Sequence, residues 1–267
     1  MVNITKIFKA QKKYADTFKD SEYIPKLTIF TGAGISVESG LQTFRDGGLW
    51  NNFSISEVAT AYAIKHNLEK VLDFYNDRRQ EVLNANPNEA HKIIKELEKY
   101  FNVVVVTQNV DNLHERAGSE KVYHLHGEIL RSRPIATNRI IYDQLTDIHV
   151  GDRCSVTNSQ LRPDIVLFGE RLNSETYYDS RRHIRESDIL IVTGTSLEVE
   201  PAASLIVEGY GTKKFYIIDP KSVEPKYRVN YEHIAKTSSE GLRDLLPILI
   251  EQSNIIKQQK RELWSSL

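Results

Sequence analysis

Four consecutive valines, Val103-Val104-Val105-Val106, narrow the architecture more than any other stretch of this chain. The run is apolar and β-branched at every position, with a helix-patterned segment before it and a polar loop after it. A strand without polar alternation is buried on both faces, as in the middle of a parallel sheet. Three further segments read as strands: residues 26–31, the run Asp188-Ile189-Leu190-Ile191-Val192, and Phe215-Tyr216-Ile217-Ile218. Helical patterns separate them, over residues 57–100 with a break at Pro87, over 173–186, and from Pro201 onward, where proline suits a first helical turn. Asn88 is placed to cap the helix after Pro87, with His91, Ile94 and Leu97 facing inward. This alternation predicts an α/β fold: a doubly wound, parallel, Rossmann-like sheet.

The remaining segments fit around that sheet. Residues 4–14 read as a leading helix laid over it, and residues 239–253 as a closing helix. Residues 128–160 lack apolar periodicity and are the candidate small inserted module. Residues 162–170 then return to a strand. Residues 254–267 read as a polar C-terminal tail, frayed from Gln258 onward. The expectation is one catalytic domain over residues 1–267 with the module inside it.

Composition excludes several classes. Of 267 residues, 35 are basic and 36 acidic, giving a net charge of −1. That gives no electrostatic reason to expect nucleic acid as a partner. Cys154 is the one cysteine, so the chain holds neither an internal disulfide nor a multi-cysteine zinc site. No run reaches transmembrane length, and the polar start lacks the apolar core of a signal peptide. A cytoplasmic, soluble protein, most simply a monomer, is the expectation.

Function is written at the strand ends. The first strand runs into Gly32-Ala33-Gly34, where a backbone without Cβ lets a ligand approach and free N–H groups suit a phosphate. The third glycine of a G-x-G-x-x-G fingerprint is missing, since Val37 stands there, so a ligand-free tight turn reads equally well in isolation. The valine strand ends in Thr107-Gln108-Asn109-Val110-Asp111, able to bond an amide and ribose hydroxyls, or simply to cap the next helix. A third strand ends in Thr193-Gly194-Thr195-Ser196-Leu197, and a fourth at Asp219-Pro220. Their convergence implies a nucleotide-sized ligand across the sheet edge. The loop over residues 42–56, centred on Asp46-Gly47-Gly48, is placed to act as a lid.

Two side-chain patterns remain open at this point. Val71, Phe74, Tyr75, Arg78 and Val82 make one helix stripe. Its arginine either snorkels at the core edge or presents a guanidinium to an anion. His124 and His126 share a face if extended; a metal, a satisfied buried histidine and a general base are all compatible with that spacing.

Five motifs, in order across residues 26–245, resemble the sirtuin family of NAD-dependent protein-lysine deacylases. They are Gly32-Ala33-Gly34-Ile35-Ser36 with Ser39-Gly40 and Phe44-Arg45; Thr107-Gln108-Asn109-Val110-Asp111 with Leu113-His114; and His126-Gly127. Leu161-Arg162-Pro163 with Phe168-Gly169-Glu170, and Gly194-Thr195-Ser196-Leu197 with Pro201-Ala202-Ala203, complete the set. The resemblance implies NAD as cofactor and acylated-lysine proteins as partners. The products would be nicotinamide, O-acyl-ADP-ribose and free lysine. It implies that His126 and Asn109 are catalytic. It gives the cofactor to Gly32, Ala33, Gly34, Ser36, Phe44, Arg45, Trp50, Gln108, Asn109 and Asp111 on one side, and to Gly194, Thr195, Ser196, Asp219, Pro220, Lys221 and Ser238 on the other. Val166, Phe168, Gly169 and Glu170 would bind substrate, the strand through 166–169 pairing with the peptide. Phe74-Tyr75-Asn76-Asp77-Arg78-Arg79 resembles the signature of the branch that removes succinyl and malonyl groups, which assigns Tyr75 and Arg78 to an acyl carboxylate. With that, the anion-binding reading of Arg78 is preferred.

Two departures stand out. Most relatives hold a structural zinc with four cysteines, whereas Pro134 lies where the first is expected and Cys154 stands alone; no metal is expected. The family's adenosine-side Asn is Asp219. The activity expected is deacylation with a preference for acidic acyl groups and weaker deacetylation. Mono-ADP-ribosyl transfer or NAD hydrolysis, which share the nicotinamide-release chemistry, are the alternatives.

Overall fold

A computed structural model describes residues 23–43, 53–212, 214–223, 225–226 and 230–266. The expected leading helix over 4–14 lies outside the described residues, as do Phe44, Arg45 and Trp50 of the expected lid.

Strand β1 (Lys26–Thr31) leads through Gly32 into a 3-10 helix, Ala33–Ser39. Three short-to-long helices follow: α1 (Ile55–Val58), α2 (Ala63–His66) and α3 (Leu68–Asn84). Ser54 and Glu57 form a capping box that starts α1, so the loop ends earlier than its polar sequence suggests. Asn88 caps α4 (Glu89–Leu97) as expected, accepting from Ala90 N and His91 N. Next come β2 (Asn102–Thr107), the single turn α5 (Leu113–Arg116) and β3 (Val122–His124). The chain then builds β4 (Gly127–Pro134), β5 (Tyr142–Asp143) and β6 (Leu161–Ile165). It closes through α6 (Ser174–Glu186), β7 (Ile189–Thr193), a 3-10 helix (Ala203–Gly211), β8 (Lys214–Ile218), β9 (Glu232–Ile234) and α7 (Ser238–Ser265).

Six strands form one sheet in the order β3-β2-β1-β7-β8-β9, every neighbouring pair parallel. The chain winds from β1 outward to β3 in one direction and from β7 to β9 in the other. The topological switch therefore lies between β1 and β7, where open α/β sheets bind ligands. Alternate side chains enter opposite cores. Leu27, Ile29, Val103, Val105, Ile189 and Ile191 pack with Ile94, Leu97, Leu242 and Leu245 of α4 and α7. Phe30, Val104, Val106, Leu190 and Val192 pack with Ile184 of α6 and Leu205 and Ile206 of the second 3-10 helix.

Three expectations change. The strand expected over 162–170 is β6 alone, and it pairs antiparallel with β4 in a separate three-stranded sheet ordered β5-β4-β6. Residues 166–170 form no strand; Phe168 makes only an isolated bridge to Thr60. The polar tail is not frayed from Gln258, because α7 runs on to Ser265 with Ile256 buried and Trp264 edge-on to Tyr23. Pro201 sits in a turn ahead of a 3-10 helix rather than in the first turn of an α-helix. A third core joins α1–α3 to the small sheet through Val58, Ile64, Val71, Phe74, Ile129 and Ile165. No helix among the described residues is long and apolar enough to cross a membrane.

Candidate active site

The described residues enclose a cavity of about 590 Å³ at the switch point, open along the C-terminal edge of the sheet and reaching under α3. One end is made of backbone. Gly34 N donates to Gly194 O at 2.8 Å, stitching the turn after β1 to the turn after β7. There is no room for side chains: a Cβ on Gly34 would meet Gly194 Cα at 2.7 Å. Gly194 has φ +64, where L side chains are strained as well. Among the described residues, the N–H groups of Ala33, Thr195 and Ser196 donate to nothing, and all three residues line the cavity. A cradle of free N–H groups that a Cβ would fill fits the pyrophosphate of a dinucleotide. Asp219, Pro220, Lys221 and Ser238 line the same end. Asp219 is oriented by Lys221 N at 2.9 Å on its Oδ1.

The middle of the cavity is polar and pre-ordered. Gln108 Nε2 donates to Thr195 Oγ1 at 2.9 Å, and Asn109 Nδ2 to Ser36 Oγ at 3.2 Å. Ser36 in turn donates to Asp111 Oδ2 at 3.0 Å, and Asp111 Oδ1 accepts from Leu113 N at 3.1 Å. Asn112 is the N-cap of α5; Asp111, one residue earlier, takes the first helical N–H, and together with Ser36 it stands one layer behind the cavity wall. Burial raises the Asp111 carboxyl pKa, against its bonds to Leu113 N and Ser36.

His126 lines the cavity, and its Nδ1 lies 2.9 Å from Gln108 O. A carbonyl only accepts, so Nδ1 carries the proton and Nε2 keeps its lone pair. Burial lowers the pKa of this imidazole, with the Gln108 carbonyl opposing it. A neutral imidazole with a free lone pair is a general base in waiting. Gly127, at φ +80, follows because β4 must pair there with β6; a Cβ would run into the Asp164 carbonyl. His124 is turned away, its Nδ1 on Asn109 O and its Nε2 on Glu115 Oε1, each at 2.8 Å.

The far end lies under α3. The stripe from Val71 to Val82 is buried throughout, Arg78 at only 7% exposure. It does not snorkel; it lines the cavity with Tyr75. Arg78 bonds Gln42 O at 2.9 Å through one nitrogen and pairs with Glu81 through another, while its Nε is buried without a partner. The Tyr75 hydroxyl makes no hydrogen bond among the described residues, and burial raises its pKa.

Val166, Phe168, Gly169 and Glu170 also line the cavity, but in other guises than a free strand and a free carboxylate. Phe168 N donates to Ala59 O and Phe168 O accepts from Ala61 N, both at 2.8 Å, and Val166 N donates to His126 O at 2.9 Å. One edge of the segment is therefore already paired. The Glu170 carboxylate is held by Arg162 at 2.5 Å, by Leu167 N at 2.9 Å and by Arg133 at 3.4 Å.

Sequence reasoning missed Glu38 and Thr237. Both line the cavity, and Glu38 accepts from Thr237 Oγ1 and Ser239 N at the start of α7. The capping box Thr237-x-x-Glu240 was the available signal. Among the described residues, no group of three His, Cys, Asp or Glu is placed to hold a metal ion.

A cradle of this kind at the switch point of a doubly wound sheet is the mark of the dinucleotide-binding α/β class. The sequence model of the Sir2 family matches residues 32–201. An NAD-dependent protein deacylase of Helicobacter pylori is 44% identical over 229 residues, covering 85% of this chain and 99% of that protein. One from Bacteroides thetaiotaomicron is 41% identical over 235 residues, covering 84% and 97%. Among solved structures, a Sir2 homolog–NAD complex superposes with a TM-score of 0.76 at 35% identity, covering 91% of this chain and 94% of that one. Sir2Tm bound to a propionylated peptide superposes at 0.69 with 27% identity, covering 88% and 97%. The chain belongs to the Sir2 family. It is accordingly an NAD-using enzyme.

Proposed function

We propose that this NAD-dependent protein deacylase removes acyl groups that end in a carboxylate, succinyl or malonyl, faster than acetyl groups. The observation that carries the preference is Arg78, a buried guanidinium with an unpartnered Nε, lining the same cavity as His126 and the glycine cradle. A planar cation and a tyrosine hydroxyl lining one cavity suit a carboxylate in charge and in hydrogen-bonding capacity.

In this reading the glycine cradle holds the NAD pyrophosphate, and Asp219 accepts from hydroxyls of the adenosine ribose. Gln108 and Asn109 hold the nicotinamide end, and Asp111 orients Asn109 from behind the wall through Ser36. NAD supplies a carbon–nitrogen bond whose leaving group is cationic while attached and neutral once gone. The chain's task is to orient that bond, exclude water and keep the acyl oxygen close. His126 takes a proton on Nε2 from a ribose hydroxyl. The peptide runs along the edge of residues 166–169 that Ala59 and Ala61 leave open, where Gly169 N makes no bond among the described residues.

The test is peptide-dependent nicotinamide release with matched acetyl-, succinyl- and malonyl-lysine peptides. Replacing Arg78 by Met removes one or two charge-assisted bonds, about 1.5–3 kcal/mol, and so lowers kcat/KM for the acidic peptides roughly 10- to 100-fold. The acetyl peptide should change far less. Equal losses on all three would remove the acyl preference, and nicotinamide release without peptide turnover would point to ADP-ribosyl transfer or NAD hydrolysis.

A further inference from the structure

The motif His124-x-His126 holds two consecutive carbonyls of one loop. His126 takes Gln108 O at 2.9 Å and His124 takes Asn109 O at 2.8 Å. The resemblance in sequence uses only the second histidine. The first faces two groups that only accept: the Asn109 carbonyl on Nδ1 and the Glu115 carboxylate on Nε2, each at 2.8 Å. Both nitrogens must then donate, which only the imidazolium can do. We infer that His124 is a positioning residue: as a buried cation bridging α5 to the Gln108–Asn109 loop, it fixes the backbone from which Asn109 reaches the cavity.

The surroundings support that charge. Burial alone would lower the pKa of His124, but the bond and charge of Glu115, with Glu128 of β4 and the Asn109 carbonyl, raise it. Asp111 in the loop is a further carboxyl within its field, and the His114 ring of α5 faces it with its own pKa driven well down by burial. His114 is therefore no competing cation. Asn109 is pinned at two further points by hydroxyls that do not titrate near neutrality: its N by Thr107 Oγ1 at 3.0 Å, which Thr31 bonds in turn at 2.8 Å, and its Nδ2 by Ser36 Oγ at 3.2 Å. The carbonyl side is the one that depends on a proton.

The two histidines thus work in opposite charge states. His126 acts when neutral, so activity falls as pH drops through its lowered pKa. His124 positions when charged, so its contribution is complete below its raised pKa and is lost as pH rises through it. Deprotonated, it has one N–H for two acceptors, and either Asn109 O or Glu115 then faces a lone pair. The profile of kcat/KM for NAD should be bell-shaped, with a histidine on each limb.

This inference rests on Asn109 meeting the nicotinamide end of NAD, and the experiment separates the two. Glu115→Gln keeps a hydrogen-bonding group but removes the charge. It should move the alkaline limb down by about one pH unit, the usual effect of losing an opposite charge at this range. His124→Ala should lower kcat/KM for NAD roughly tenfold or more, mainly through KM, and abolish the limb; His124→Gln, with one donor, should recover part of the loss. An unmoved limb in Glu115→Gln, or a His124→Ala variant within twofold of the parent, overturns the inference. If His124→Ala fails to fold, the Glu115→Gln profile decides alone. Full activity in Asn109→Ala would instead overturn the site assignment on which it rests.

Discussion

The six-stranded and three-stranded sheets are held in place by different physics. The large sheet buries whole faces, with side chains alternating into two cores, so no single residue carries its position. The small sheet contributes few apolar side chains, Ile129 and Ile165 among them, to a core built mostly by α1–α3. Polar clamps do the rest. The Asn76 amide of α3 bonds both Ile148 N and Ile148 O at 2.9 Å, a side chain imitating a strand partner. Arg79, fully buried, bonds Asn76 at 2.6 Å and Ile129 O at 3.2 Å. Arg162, also buried, ties β6 to Glu170 and bonds Ile165 O at the end of its own strand. Cys154 Sγ meets the Tyr142 hydroxyl at 3.1 Å and accepts from Thr157 N at 3.4 Å. The lesson is that a module poor in cysteine can be fixed by a few directional bonds, at the cost of redundancy.

Substitutions can break that contrast. The largest effect is expected where the large sheet does lose its redundancy, at the crossing of its two turns. Gly194→Ala forces a Cβ onto Ile35 N at a positive φ and should cost more than about 3 kcal/mol, read as a thermal shift together with loss of NAD binding. Next is Arg162→Met, which leaves the Glu170 carboxylate short of its principal partner. A loss of about 2–4 kcal/mol in denaturant unfolding is expected, reduced from the fully buried case because Arg133 remains. The smallest is Asn76→Ala, about 2–3 kcal/mol for the two bonds to Ile148 and the one from Arg79. Its signature is local: faster amide exchange around Ile148 while β1, β2 and β7 exchange as before. If the large sheet loosened equally, the two regions would be one cooperative unit and the contrast would fall.

Legibility in the sequence follows the same division. Val103–Val106 and the strand through Ile191 could be read because burial on both faces leaves no polar residue to confuse the pattern. Strand β9 could not, since Glu232 and His233 are exposed at the sheet edge. Strand β6 is written Leu-Arg-Pro-Asp-Ile, and its arginine looks like a surface residue until the clamp with Glu170 is seen. The α7 extension hid behind its polar face, because one turn-spaced row through Leu249, Ser253 and Ile256 suffices to bury it. On α3 the apolar stripe drew the eye to Arg78, while Arg79, off the stripe, is the more deeply buried, because the small sheet covers that second face. At the site, the glycine turns and the Gln108–Asp111 loop were legible as polar strand ends, and the structure gathers them around one cavity. The pairing of Glu81 with Arg78 and the Glu38 contact with α7 were not, since each depends on which helix face meets which loop.

The stitch between Gly34 and Gly194 changes how a mutational scan of this enzyme should be interpreted. Both positions will score as intolerant whether or not NAD is ever bound, because the added atom collides with the opposite turn of the protein itself. An inactive glycine variant therefore reports a broken scaffold. The proposed cofactor contacts are better probed where a side chain can be changed without that collision, at the cavity-lining Gln108 or Asp219.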